Sequence, residues 1–208
     1  MAKGPIQRTN IVSRGIRLEY ITVGWNVVEG AVAVLAGLLA GSVALVGFGV
    51  DSAIESSSGA VLLWRLRAEQ TGKNIERAEQ TALKLVGASL LLLAAYVTFN
   101  AIKTLVTREQ PQRSILGIVV SVLSLIVMPL LAKAKRRTAA ELNSAALHAD
   151  SRQTSICAYL SAILLGGLLL NAALGWWWAD PVGALAMVPI IVQEGREALK
   201  GETCTDCH

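Results

Sequence analysis

Six long apolar runs separated by short polar links take up most of the chain. They extend from about Leu18 to Leu39, Ser42 to Trp64, Ala82 to Val106, Ile115 to Leu131, Ala145 to Leu174, and from Trp176–Trp178 to about Val192. About 20 mostly apolar residues are enough for a helix to cross the hydrocarbon core. Backbone groups in lipid must be satisfied within the segment or by closing a barrel, so runs of this length select helices over strands. The pattern predicts an all-α membrane protein with six transmembrane helices. It divides into a polar segment 1–17, a six-helix membrane domain 18–192 and a short tail 193–208.

Composition agrees with that reading. Of 208 residues, 53% are hydrophobic and only 16% charged, whereas a soluble domain carries about a quarter charged residues. The net charge of +4 does not point to nucleic acid, because the cations cluster between apolar runs as a topology signal. Lys3, Arg8, Arg14 and Arg17 precede the first run. Arg65, Arg67, Lys73 and Arg77 separate the second and third, and Lys133, Lys135, Arg136 and Arg137 the fourth and fifth. Arg196 and Lys200 follow the sixth, while the remaining links hold only Arg108 and Arg113. This bias places both termini in the cytoplasm and the Trp176–Trp178 triplet in the opposite interfacial belt. Met1–Arg17 does not read as a cleavable signal peptide. Cys157 in an apolar run, with Cys204 and Cys207 near the end, is no disulfide framework.

Against this apolar background the interior polar residues stand out: Glu29, Asp51, Glu55, Asp150, Arg152, Gln153 and Cys157, with Asn26, Asn100 and Asn171. Ionisable groups deep in a membrane face the bundle interior or water. Asp51 and Glu55 are four residues apart and share one helical face. Asp51 lies about nine residues, roughly 13 Å, from the outer end of its helix. Two carboxylates in low dielectric call for a cation, a proton or an Arg, and oxygen donors suit a divalent metal. Gln153 and Cys157 repeat the spacing. An antiparallel pairing of the second and fifth helices brings the four side chains together, as a tetrahedral metal requires. A thiolate favours softer ions such as zinc, cadmium or cuprous copper. Three bland readings stand beside this one. Cys157 can be small apolar packing, Gln153 an interhelical hydrogen-bonder, and Asp51 with Glu55 polar glue. Arg152 is expected to pair with Glu29 or Asp150, or to snorkel, and His148 to lie at the inner interface.

Several of these segments resemble the cation diffusion facilitator (cation efflux) family of metal transporters. Ser42-Val-Ala-Leu-Val-Gly-Phe-Gly-Val-Asp51-Ser-Ala-Ile-Glu55 is similar to that family's second helix, with Asp51 and Glu55 on its two ligand positions and Glu in place of the usual Asp. Asn26-Val-Val-Glu29-Gly30 resembles the first helix, Ala149-Asp150 the pair preceding the fifth-helix ligands, and Trp178-Ala-Asp180-Pro181 the turn into the sixth. The resemblance implies metal ligands at Asp51, Glu55, Gln153 and Cys157, with Glu29 and Asp150 supporting. Gln153 and Cys157 replace the family's usual His and Asp, which removes a titrating His. About sixteen residues follow the sixth run, so the expectation is a short form without the family's cytoplasmic metal-sensing domain, forming a homodimer through membrane helices.

The chain ends Cys204-Thr-Asp-Cys207-His208. This matches a haem-attachment pattern, but a cytoplasmic tail is the wrong compartment and no haem is expected. Transient metal capture by two thiolates and an imidazole stands beside a tail without a role. The expected function is a secondary transporter in a bacterial inner (plasma) membrane, exporting a divalent or soft cation by proton antiport and alternating access. Zinc leads, with cadmium, cobalt, nickel, copper or mercury as alternatives. The main rival is a non-transporting metal-binding or regulatory protein of the same fold. Neither a phosphate loop nor a His-Glu-x-x-His pattern marks an enzyme.

Overall fold

A computed structural model describes residues 5–40, 43–72, 74–108 and 115–201. Six helices follow in chain order: α1 (Pro5–Ala40), α2 (Val43–Gln70), α3 (Ile75–Thr107), α4 (Ile115–Leu142), α5 (Ala145–Leu174) and α6 (Ala179–Lys200). Lys3, Lys73, Arg113 and the Cys204, Cys207 and His208 tail lie outside the described residues.

The helices outrun the apolar stretches that foreshadow them. The first helix starts at Pro5 rather than Leu18, and α2 continues past Trp64 to Gln70. In the same way α4 continues past Leu131 to Leu142 and α6 past Val192 to Lys200. Charged residues at a membrane surface keep the helical backbone going, since nothing in Lys, Arg or Glu opposes a helix. Arg65, Arg67, Lys133, Lys135, Arg136 and Arg137 therefore stand on helices and not in links. True stops are short and chemically marked. Asn143, at φ 53°, ends α4, and Ser144 at once caps α5 by accepting from the Leu147 N–H at 3.2 Å. Asn74 caps α3 through the Arg77 N–H at 3.1 Å. Gly175, at φ 70°, closes α5. The Trp triplet lies in the turn that follows, with Trp176 and Trp178 stacked at 5.4 Å.

The helices pack mainly as α1 with α2, α3 with α6 and α4 with α5, and α5 also reaches α2, α3 and α6. Glycines set the closest crossings. A Cβ on Gly49 would fall 2.4 Å from Val34 Cγ2 and 2.9 Å from the Gly30 carbonyl oxygen, so α1 and α2 touch backbone to backbone. A Cβ on Gly87 would fall 2.9 Å from the Gly195 carbonyl oxygen, which joins α3 to α6 in the same manner. Close approach at small residues is how helices associate where lipid supplies no hydrophobic drive.

The distribution of polarity is that of a membrane protein. Val28, Leu35, Leu38, Leu92, Phe99 and Leu130 are exposed, while Glu19, Asn26, Glu29, Asp51, Glu55, Lys135 and Asp150 are buried. Four helices are long and apolar enough to cross a membrane over their described residues: α1 within Arg8–Leu39, α3, α4 within Ile118–Leu142, and α5 within Ala145–Asn171. Of the six spans expected from the apolar runs, four meet this length and composition among the described residues. The second helix falls short because its buried face carries Asp51, Glu55, Ser58 and Arg65. The sixth falls short because charged residues crowd its second half from Glu194 onward.

Candidate metal site between α2 and α5

Asp51 and Cys157 face each other across α2 and α5. The thiol donates to Asp51 Oδ1 at 3.8 Å, and both side chains are buried. A second contact fixes the helix direction. Ser58, seven residues onward along α2, donates to Asp150 Oδ1 at 2.8 Å, and Asp150 lies seven residues back along α5. Only antiparallel helices in register allow both contacts, so the expected antiparallel pairing of α2 and α5 is present.

Glu55 lies one turn from Asp51 with both carboxylate oxygens buried and without a hydrogen-bond partner. Cys157 and Thr154 flank it without meeting hydrogen-bond geometry, and the Lys135 ammonium acts on it electrostatically. Glu29, on α1, is within electrostatic reach of both Asp51 and Glu55, and its Oε1 is also buried and unpartnered. Three carboxylates thus converge with little protein compensation, an expensive arrangement in low dielectric.

Gln153 is fully buried, but its Oε1 accepts from Ser89 Oγ of α3 at 3.1 Å, and its Nε2 has no partner. Its oxygen is therefore engaged by α3. Among the described residues, no group of three or more His, Cys, Asp or Glu side chains is close enough to hold a metal ion. Arg152 pairs neither with Glu29 nor with Asp150: its guanidinium bonds Glu194 on α6. His148 is partly buried at the start of α5.

A cleft of about 110 Å³ reaches Asp51 from one end of the bundle. Its lining includes Tyr96, Asn100 and Thr104 from the last turns of α3, and Asp180 from the start of α6. These lining residues lie on the Trp-triplet side of Asp51 along their helices.

Asp150 belongs to a different centre. Lys135 Nζ lies 2.5 Å from Asp150 Oδ2 and 3.0 Å from Glu19 Oε2, and all three side chains are completely buried. Sequence reasoning missed both Lys135 and Glu19. The signal was available in the spacing. Ser121, Ser124, Met128, Leu131 and Ala132 form the buried stripe of α4, and Lys135 continues it at helical intervals, while Lys133, Arg136 and Arg137 point outward. Glu19, Thr22, Asn26 and Glu29 likewise form one buried stripe on α1. Arg65 is also internal, bonded to Glu69 at 2.6 Å and to Glu79 at 2.5 Å. Glu79 in turn accepts from the Ala146 N–H at 2.7 Å, where α5 begins.

The chain matches the cation efflux transmembrane domain over residues 20–202. It is 26% identical over 168 residues to the uncharacterized transporter sll1263 of Synechocystis sp., covering 78% of this chain and 54% of that one. It is 30% identical over 118 residues to the cation-efflux pump FieF of Shewanella oneidensis, covering 57% of this chain and 40% of the pump. The chain therefore spans about half the length of these curated relatives.

Proposed function

The chain belongs to the cation efflux family, and from that premise we propose that it is a secondary transporter exporting a divalent or soft metal cation, zinc first, from the cytoplasm. The observation that carries this reading is the facing of Asp51 and Cys157 across antiparallel α2 and α5, with the Glu55 carboxylate beside them unpartnered. Buried carboxylates without partners are tolerable when a cation or a proton visits them.

In this reading the ion draws Asp51, Glu55 and Cys157, which stand too far apart to ligate together in the described structure, into one site at mid-membrane. Gln153 joins as fourth ligand by exchanging Ser89 for the metal. Protons entering from the opposite side compete for the same carboxylates and weaken the metal's hold, so exchange follows from competition for one set of donors. Alternating access moves the site between the two faces. The topology has six spans, both ends cytoplasmic, and residues 18–192 as the transport domain. The setting is a bacterial inner membrane, with a homodimer formed through membrane helices. Cys204, Cys207 and His208 offer a soft ion a first, transient hold.

The occupied Gln153 oxygen favours one alternative, a metal-binding or regulatory protein that does not transport. Zinc uptake into sealed vesicles carrying the purified chain separates the two. The transporter moves zinc at a rate lost in Asp51→Ala; a binding protein retains zinc stoichiometrically without turnover. A panel of zinc, cadmium, cobalt, nickel, manganese and copper then ranks the cargo.

A further inference from the structure

The cluster of Glu19, Lys135 and Asp150 is the most completely buried charged group in the described structure. It joins four helices at one level. Glu19 comes from α1, Lys135 from α4 and Asp150 from α5, and Ser58 of α2 bonds Asp150 at 2.8 Å. Thr154 Oγ1, one turn along α5, is 3.5 Å from the ammonium.

Its position relative to the metal site is fixed by helix geometry. From Asp51 to Ser58 along α2, and from Cys157 back to Asp150 along α5, the displacement is seven residues, about 10 Å. Both steps lead toward the end of the bundle that carries Arg65, Arg67, Lys133, Arg136 and Arg137. On the opposite side, the cleft lined by Tyr96, Asn100 and Asp180 reaches Asp51 itself. The metal site thus has an approach on one side and a sealed ion-pair cluster on the other.

We propose that the Glu19–Lys135–Asp150 cluster is the gate on the basic side of the transport path, and that the described structure has this gate shut. Lys135 is a positioning residue: its ammonium draws α1, α4 and α5 together below the site and blocks the ion's way to the basic face. A cation leaving or entering on that side must pass two carboxylates already paired with a tethered cation, so passage requires the ion pairs to part and the four helices to separate. The pairs suit a gate because they are all-or-none. Breaking one leaves an uncompensated buried charge, whereas parting all of them exposes a wetted, acidic path. This inference rests on the transport reading, but its readout does not.

The test uses Cys157 as a built-in reporter. The purified chain is placed in vesicles sorted by orientation and treated with a membrane-impermeant methanethiosulfonate from either face, and modification of the Cys157 peptide is followed by mass spectrometry. The wild type should react at least tenfold faster from the Asp180 side. In Glu19→Gln/Lys135→Met/Asp150→Asn, which removes the three charges together, the basic-side rate should rise at least tenfold, and zinc should leak down its gradient without a proton gradient. Equal wild-type rates from both faces overturn the proposal without any variant. So does a folded triple variant, verified by its thermal transition, that keeps the wild-type ratio, because the cluster would then be a structural staple alone. Transport unaffected by Asp51→Ala would remove the proposed function while leaving the two labelling rates to decide the gate.

Discussion

Two polar centres lie about 10 Å apart in one bundle, and they solve the problem of buried charge in opposite ways. Around Lys135 the protein supplies its own cation, and two carboxylates, a serine and a threonine close over it. Around Asp51 it supplies carboxylates and a thiol, with Lys135 of the other centre acting on Glu55 only electrostatically, and leaves Glu55 and one oxygen of Glu29 without hydrogen-bond partners. The first arrangement carries its own countercharge, though the Glu19 oxygens make no hydrogen bond, and suits structure or gating. The second is incomplete and suits a visitor. In low dielectric an unpaired buried charge is costly enough to require a reason, and the proposed function offers one, a partner that arrives from solution.

The sharpest way to break this comparison is to remove the carboxylate at the incomplete centre. Asp51→Ala should bring zinc uptake by vesicles down to the level of protein-free vesicles while leaving the thermal transition unchanged or raised, since it relieves repulsion. Retained uptake would move the site elsewhere. At the Lys135 centre the effect should invert. Lys135→Met alone leaves Glu19 and Asp150 uncompensated and should cost about 3–5 kcal/mol of stability, read as a large fall in the thermal transition in detergent. If the loss is below about 1 kcal/mol, the bound of an exposed pair, the pairing is not the buried one described.

Smaller effects sharpen the contrast. Gly49→Val forces a side chain into the α1–α2 crossing and should destabilise by about 1–3 kcal/mol, seen as a lower transition midpoint without a change in metal preference. Cys157→Ser replaces a soft donor by a hard one and should shift relative binding from cadmium toward harder divalent ions, and an unaltered metal profile would reduce Cys157 to packing. Ser89→Ala should cost about 0.6 kcal/mol, the average interhelical hydrogen bond in a membrane protein. By freeing Gln153 Oε1 it should also tighten zinc binding in calorimetry; unchanged affinity would leave Gln153 as an interhelical strut.

The chain by itself determined its class and the axis of its site. Apolar runs as long as Ala82–Val106 can only be helices in lipid, whatever they pack against. The four-residue steps from Asp51 to Glu55 and from Gln153 to Cys157 place each pair on one face whatever the tertiary fold. Tertiary structure alone decided which polar groups are partners. Spacing puts Lys135 on the stripe of Ser124, Met128 and Leu131, but nothing local says that Glu19 and Asp150 meet it there, that Arg152 finds Glu194, or that Ser89 holds Gln153, because each depends on which helix lies opposite. Charges beyond an apolar run read as surface until the helix is seen to continue past it, and the buried stripe of α4 carries Lys135 beyond the edge at Leu131. Hydropathy is a property of each residue, whereas compensation of a charge is a property of pairs brought together by packing.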